Sequence, residues 1–356
     1  MAVRGLDALV VTSLSNVLFL TNFAGSAGIL VLTPGKVWFI TDFRYVTAVA
    51  NLRESGHACP DLELVRVNGS YETTLAELLS ARGLRQIGFE AAHTTVARHA
   101  WLAAALAKSA PGAALVSTDG LVEAVRVRKD QYEIAILREA ARRLSGVAVR
   151  IMADVRRGRT EREVAMTIDL RIREAGFSAP AFETIVAGGP NGALPHARPG
   201  ERKLGEGDLV VLDFGGVYDS YCVDLSRTVS IGVASGRARE VHSAVREAHD
   251  RAIAAVAPGR SPFEVDRVAR DTLGARGFAF GHGTGHGLGI DVHEEPRIAR
   301  RRPDMGDETL LAGMVFTIEP GAYLPGWGGV RIEDDVLVTD TGVELLTDVT
   351  TELVEI

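Results

Sequence analysis

Short apolar runs alternate with amphipathic stretches through the first third of the chain. Leu9-Val10-Val11 and Gly28-Ile29-Leu30-Val31-Leu32 have the length and composition of buried strands. Thr33-Pro34-Gly35-Lys36 signals a turn, so Val37-Trp38-Phe39-Ile40 is predicted to return as the partner strand of a hairpin. The spacing predicts helices over Tyr45–Glu54 and Glu72–Ala81, a strand over Gln86–Glu90, and an Ala-rich helix over Val96–Ser109 that Pro111-Gly112 stops. This is an α/β unit with its own supply of apolar side chains. A charged connector, Arg126-Val127-Arg128-Lys129-Asp130, follows it and precedes a long amphipathic helix from Gln131 to Val155. The division falls there: an N-terminal domain over 1–125 and a second domain over 126–356.

The second domain carries a faint internal repeat. Gly158-Arg159-Thr160-Glu161-Arg162-Glu163-Val164 matches Gly259-Arg260-Ser261-Pro262-Phe263-Glu264-Val265. Each match reads as a capping box, with Thr160 or Ser261 as the cap and Glu163 or Glu264 reaching back. A longer helix precedes each, Gln131–Val155 and Ala238–Val256. Further on, Gly207-Asp208-Leu209-Val210-Val211-Leu212-Asp213 resembles Gly313-Met314-Val315-Phe316-Thr317-Ile318-Glu319: a glycine turn, an apolar strand, then a carboxylate. Each half therefore reads helix, helix, strand, strand. A pseudo-two-fold relation between the halves would bring their acidic strands to one centre.

Composition narrows the class. The chain has 356 residues, 46% hydrophobic and 24% charged, which suits a folded soluble protein rather than a disordered one. A net charge of −7 repels nucleic-acid phosphates, so a nucleic-acid partner is not expected. No apolar stretch reaches the roughly 18 residues of a membrane span. Arg4 and Asp7 interrupt any leader-like run at Met1–Asp7, and a cytoplasmic location is expected. Cys59 and Cys222 are too few for a disulfide framework and read as buried free thiols.

Candidate chemistry lies in four segments of the second half. In Leu212-Asp213-Phe214 and Val223-Asp224-Leu225, two strands flanking a Gly/Tyr/Asp turn carry carboxylates among strongly apolar neighbours. A buried carboxylate needs a counter-charge or a metal, whereas a strand-end aspartate facing solvent needs neither. Gly281-His282-Gly283-Thr284-Gly285-His286-Gly287-Leu288-Gly289-Ile290-Asp291-Val292-His293-Glu294 holds three histidines and five glycines, a pattern that forfeits packing and admits close approach of a ligand. No Gly-Lys-Ser/Thr or dinucleotide fingerprint accompanies it. Glu319 closes an apolar strand in Thr317-Ile318-Glu319-Pro320. Glu333 is predicted in another strand, with Arg331 on the same face. Asp213, Asp224, Glu319 and Glu333 as oxygen donors, with His286 as a nitrogen donor, would repel one another unless cations were present. Two divalent ions would cancel their charge and acidify a water molecule. The oxygen-rich set suits Mn²⁺ first, with Zn²⁺ or Co²⁺ also possible.

These five residues resemble the ligand set of the pita-bread metallopeptidases, which include methionine aminopeptidase, aminopeptidase P and prolidase. Thr41-Asp42-Phe43-Arg44-Tyr45 is similar to the creatinase-like N-terminal domain of the Xaa-Pro branch. The resemblance implies an α/β fold class: a small creatinase-like N-terminal domain plus a pita-bread α+β catalytic domain with pseudo-two-fold symmetry. It implies an exopeptidase that hydrolyses Xaa-Pro bonds of proline-containing peptides, with a homodimer as the assembly. His196 in Ala193-Leu194-Pro195-His196 and His293 match substrate-binding histidines near the scissile carbonyl, and His282 matches one at the pocket wall. Glu319 matches the proton shuttle, and Arg331 would order the ligating carboxylates. The expected activity is that of an Xaa-Pro dipeptidase, with an aminopeptidase P acting on longer peptides, or a peptide-binding protein without catalysis, as alternatives. Arg44 is a candidate clamp for the carboxylate of a dipeptide.

Overall fold

A computed structural model describes residues 4–303 and 306–356. Residues 1–3, part of the segment read above for a leader, and residues 304–305 lie outside the described residues. The chain divides into two compact units, Met1–Val125 and Arg126–Ile356.

The first unit runs β1 (Ala8–Val11), α1 (Leu14–Thr21), β2 (Ile29–Thr33), β3 (Lys36–Thr41), α2 (Val46–Glu54), β4 (Leu62–Arg66), α3 (Tyr71–Ala81), β5 (Gln86–Glu90), α4 (Val96–Ser109), β6 (Ala114–Thr118) and α5 (Glu123–Arg126). Its mixed six-stranded sheet has the order β4-β3-β2-β1-β5-β6. The β2–β3 pair is antiparallel, as the turn signal requires, with Ile29 opposite Ile40 and Thr33 opposite Lys36. The sheet is apolar on both faces. Val10, Val31, Ile40 and Ile87 pack with Leu75 and Leu79 of α3, while Leu9, Val11, Leu30 and Phe39 pack with Val17 and Phe23 on the other side. Helix α1 has no strong apolar periodicity and was not anticipated; Ser13 caps it, and the buried Glu90 carboxylate accepts the N–H groups of Thr12 at 2.6 Å and Ser13 at 2.8 Å.

The second unit begins with α6 (Gln131–Ile151) and α7 (Glu161–Glu174), then β7 (Ala179–Pro180), β8 (Ile185–Gly188) and a 3₁₀ turn over Gly189–Ala193. A long hairpin follows, β9 (Leu209–Tyr218) and β10 (Tyr221–Ser230), and then α8 (Gly236–Ala254) and α9 (Pro262–Ala275). The remainder is β11 (Gly285–Gly287), β12 (Glu294–Ile298), β13 (Val315–Ile318), β14 (Gly321–Leu324), β15 (Gly328–Arg331), β16 (Asp334–Val338), β17 (Val343–Leu345) and β18 (Val354–Glu355). The order helix, helix, strands therefore occurs twice. One sheet is β18-β10-β9-β7, with β8 also on β9; the other is β12-β11-β13-β16-β17. An isolated bridge between Ser226 and Glu333 joins them. The cores divide likewise: Leu137, Leu144 and Ile168 of α6 and α7 pack on Leu212, Phe214 and Leu225, and Val245, Val265 and Leu273 of α8 and α9 pack on Phe316, Ile318 and Val336.

Three details depart from the sequence reading. The first capping box forms, because Thr160 accepts the Glu163 N–H and Glu163 accepts that of Thr160. The second does not: Ser261 accepts the Phe263 N–H, and the Glu264 carboxylate turns to Arg260 at 3.4 Å. Asp213 lies in the middle of β9 rather than at its end, and Cys59 is only partly buried while Cys222 is buried. Among the described residues, no helix is long and apolar enough to cross a membrane.

Leu144 is fully buried on α6, whereas Met166 on α7 is 65% exposed. Leu144→Ala should cost about 2–5 kcal/mol in urea unfolding, and Met166→Ala less than about 0.5 kcal/mol. Equal effects would mean that the α6–sheet core is assigned wrongly.

Candidate metal centre and active site

The hairpin register places the first carboxylates. Asp213 pairs with Ser226 and Gly215 with Asp224, so Asp213, Asp224 and Ser226 share one face, while Leu212, Phe214, Val223 and Leu225 enter the core from the other. Gly215 leaves room beside Asp224: a Cβ there would meet the Val223 carbonyl and the Phe182 ring. The second sheet supplies the rest. Glu319 follows β13 and its N–H donates to the Thr284 carbonyl at 2.7 Å. Glu333, which sequence reading put inside a strand, occupies the joint between β15 and β16 and is tied to β10 by its N–H to the Ser226 carbonyl at 3.1 Å. His286 lies on β11, and Gly285 is obligatory beside it, because a Cβ would collide with the Thr317 carbonyl.

These side chains converge. Ligand atoms of Asp224, His286 and Glu333 all lie within 4.8 Å of one another. His286 Nε2 is 3.9 Å from Asp224 Oδ2 and 3.6 Å from Glu319 Oε1. Asp213 is joined to the group through Arg331, whose guanidinium bonds Asp213 Oδ2 and donates to Ser226 Oγ at 3.0 Å; Ser226 Oγ in turn donates to Glu333 Oε2 at 2.7 Å. Arg331 also reaches the Pro195 carbonyl at 3.1 Å and the Tyr323 hydroxyl at 3.0 Å. Tyr323 bonds His282 Nε2 at 2.9 Å, and the His286 and His293 rings lie 4.3 Å apart. His196 and His293 are exposed, and His282 is half-buried. The field of His196 acts on both His282 and His293, so the three imidazoles share one neighbourhood.

Electrostatics identify what the centre suits. Burial, followed by the charges of Glu333 and Asp213, raises the Asp224 carboxyl well above its ordinary value. Burial and then Glu333 do the same to Glu319. Glu333 is pushed up to about 8 by burial and by Asp213, against the pull of Arg331 and the Ser226 hydrogen bond. Burial, with His293 second, lowers His286 to about 4, so its imidazole is neutral at pH 7 and free to donate a lone pair. Asp213 Oδ1 and Asp224 Oδ1 are buried without a hydrogen-bond partner. A buried carboxylate elsewhere differs: Glu161 is saturated by the N–H groups of Gly188, Asn191 and Gly200. Carboxylates that repel one another and lack donors fit divalent cations.

Five contributors escaped the sequence reading. Ser226 lies two residues beyond Asp224 on the same strand face, a signal that was available. Tyr323 and Asp335, whose Oδ2 accepts the Asp224 N–H at 3.1 Å, carry no local signal. Neither does the support of the His282 loop: Asp266 of α9 accepts the Thr284 hydroxyl at 2.8 Å, and Arg270 donates to the carbonyls of Phe280 at 2.9 Å and His282 at 2.5 Å. The guanidinium of Arg44, in the first unit, is engaged by Asp42 through two bonds of 2.9 and 2.8 Å.

Comparison with known proteins assigns the family. Residues 135–340 match metallopeptidase family M24, and residues 1–128 match the Creatinase/Prolidase N-terminal domain. The chain belongs to metallopeptidase family M24. An Xaa-Pro dipeptidase of Pyrococcus furiosus is 39% identical over 238 residues, covering 66% of this chain and 67% of that protein. Among solved structures, an Xaa-Pro dipeptidase from Bacillus anthracis superposes with a TM-score of 0.92 at 35% identity, covering 100% of this chain and 96% of the other. An X-Pro aminopeptidase from Thermotoga maritima MSB8 gives 0.88 at 31% identity, covering 99% and 98%. The M24 fold, with its creatinase-type N-terminal domain, is thereby that of this chain, and divalent metals are the cofactors of the family.

The raised carboxyls give a pH test. Between 4.5 and about 8, the folded protein without metal keeps a proton on Glu333 that the unfolded chain has released. Stability from that group is full below 4.5 and is lost as pH rises towards and through about 8. Against the opposing effect of burial, Asp250 and Asp334 push the His249 imidazole up, so its contribution is lost in the same direction as pH rises. The melting temperature of metal-stripped protein should therefore fall from pH 6.5 to 8.5, and Mn²⁺ should restore it most at the higher pH. A flat profile in the stripped protein would contradict the buried-acid description.

Proposed function

We propose that this chain is a divalent-metal exopeptidase that hydrolyses the Xaa-Pro bond of dipeptides. The observation that carries the reading is the convergence of Asp224, His286 and Glu333, with Glu319 beside them, in a chain of family M24 whose similar relatives include Xaa-Pro dipeptidases. Residues 1–125 form the creatinase-like domain and residues 126–356 the catalytic domain in this reading, and the enzyme is a cytoplasmic homodimer. Asp213, Asp224, His286, Glu319 and Glu333 would hold two cations. Mn²⁺ is the first choice, because four of these five side chains offer oxygen; Zn²⁺ and Co²⁺ fit the same set less selectively.

Bound cations supply Lewis acidity to the scissile carbonyl and acidify a water molecule. The chain's own residues do the remainder. Glu319 takes a proton from the attacking water and delivers it to the prolyl nitrogen. That nitrogen belongs to a tertiary amide without an N–H, so a site for it needs no acceptor on the leaving side. His196 and His293 donate to the carbonyl oxygen as charge develops there, and His282, fixed by the Tyr323 hydroxyl, lines the pocket wall. Arg331 keeps the Asp213 carboxylate oriented from behind.

Hydrolysis of Ala-Pro should exceed that of Ala-Pro-Ala on Mn²⁺-loaded enzyme. Dominant turnover of the tripeptide would replace the dipeptidase with an aminopeptidase, and no turnover of either would leave a binding protein. Asp224→Asn and His286→Ala should abolish turnover with the fold retained by circular dichroism. Glu319→Gln should lower kcat by about 10²–10⁴-fold in protein that still holds metal; normal rates would remove its role as proton carrier.

A further inference from the structure

The loop that bears His196 is built on a single buried carboxylate. Glu161, the first residue of α7, is 1% exposed, yet no cation among the described residues forms an ion pair with it. Its Oε1 accepts the Gly188 N–H at 2.9 Å and the Asn191 side-chain amide at 2.9 Å, and its Oε2 accepts that amide at 3.1 Å and the Gly200 N–H at 3.1 Å. Gly188 ends β8 and Gly200 lies beyond His196, so one side chain gathers both feet of the segment 188–200 and its interior. The helix backbone reinforces the second foot, with the Glu161 N–H donating to the Arg202 carbonyl at 3.0 Å and the Arg162 N–H to that of Gly200 at 3.1 Å.

The span between the feet is pinned at two further points. Gly192 crosses β15 so closely that a Cβ on Gly329 would collide with the Gly192 carbonyl. The Pro195 carbonyl accepts from Arg331 at 3.1 Å, one residue before His196. His196 itself is exposed, so its imidazole takes its place from the loop rather than from packing around the ring. A loop rich in glycine has many competing conformations when its anchors go. An amide in place of the carboxylate would leave one acceptor for three donor groups and point an N–H₂ at a backbone N–H.

We infer that Glu161 is a positioning residue for His196, acting through the backbone of 188–200 on the reaction proposed above, on which its kinetic part rests. The test is a double-mutant cycle of Glu161→Gln and His196→Ala, read as kcat and KM for Ala-Pro with bound metal quantified in every variant. Amide hydrogen exchange over 188–202 is measured alongside. Glu161→Gln should lower kcat by about 100-fold, the cost of a misplaced catalytic group, with KM within about 2-fold and metal content unchanged. In the His196→Ala background the same substitution should cost less than about 3-fold, since the group it positions is already gone. Exchange over 188–202 should accelerate in Glu161→Gln.

Equal factors in the two backgrounds, or unchanged exchange, would overturn the inference. Should Glu161→Gln not fold, Asn191→Ala removes one donor of the same clamp and replaces it in the cycle with the same expectations. A parent enzyme inactive on Ala-Pro would count against the reaction alone. The exchange measurement still decides the clamp in that case, with unchanged protection overturning it.

Discussion

The second unit is organised around an electrostatic conflict. Its two sheets meet at the Ser226–Glu333 bridge, where the carboxylates of Asp213, Asp224, Glu319 and Glu333 converge with the guanidinium of Arg331 bonded to Asp213. Desolvation and mutual repulsion hold protons on carboxyls that would be ionised in water. Removing one acid would ease the repulsion but leave its neighbours without donors. Divalent cations resolve both problems at once, and the apolar cores behind each sheet keep the acids from separating. Stability of the joint and readiness for metal are thus two aspects of one arrangement.

The histidines obey a different rule. None of His196, His282 and His293 is part of a helix, and the loops that bear them are rich in glycine, so each depends on polar anchors. For His196 the anchor is Glu161; for His282 it is the Asp266–Arg270 pair of α9. For His293 it is Glu294, half-buried beside the buried Arg126 and Lys129, with the Lys129 Nζ at 3.1 Å, and accepting the Asp291 N–H at 3.0 Å. Charged side chains whose headgroups are enclosed and fully bonded resist displacement, because any shift strands them without partners. This is how glycine-rich sequence acquires a fixed shape.

Much of this was legible in the chain itself. The turn at Thr33–Lys36 marked the β2–β3 hairpin, and the Gly/Tyr/Asp turn between two apolar strands marked a second one with Asp213 and Asp224 among apolar neighbours, which the register then sets on one face. The density of glycine and histidine over 281–293 marked a site because no core can be made from it. Part of what stayed hidden depends on contacts between residues more than a hundred positions apart. Asp335 beneath Asp224 and Ser226 against Glu333 are of this kind. Tyr323 looked like any aromatic near a hairpin, and Glu161 like an ordinary first-turn acid. Local signals also misled: Ser261 and Glu264 have capping-box spacing, but Pro262 and the nearby Arg260 draw the two side chains to other partners.

The account depends on the five donors holding cations together. Anomalous diffraction from crystals grown with Mn²⁺ tests that directly. Two peaks are predicted per chain, enclosed by Asp213, Asp224, His286, Glu319 and Glu333 and each within bonding distance, about 2.0–2.3 Å, of several of their donor atoms. Peaks elsewhere on the chain, or none at this centre with the protein saturated in Mn²⁺, would contradict it.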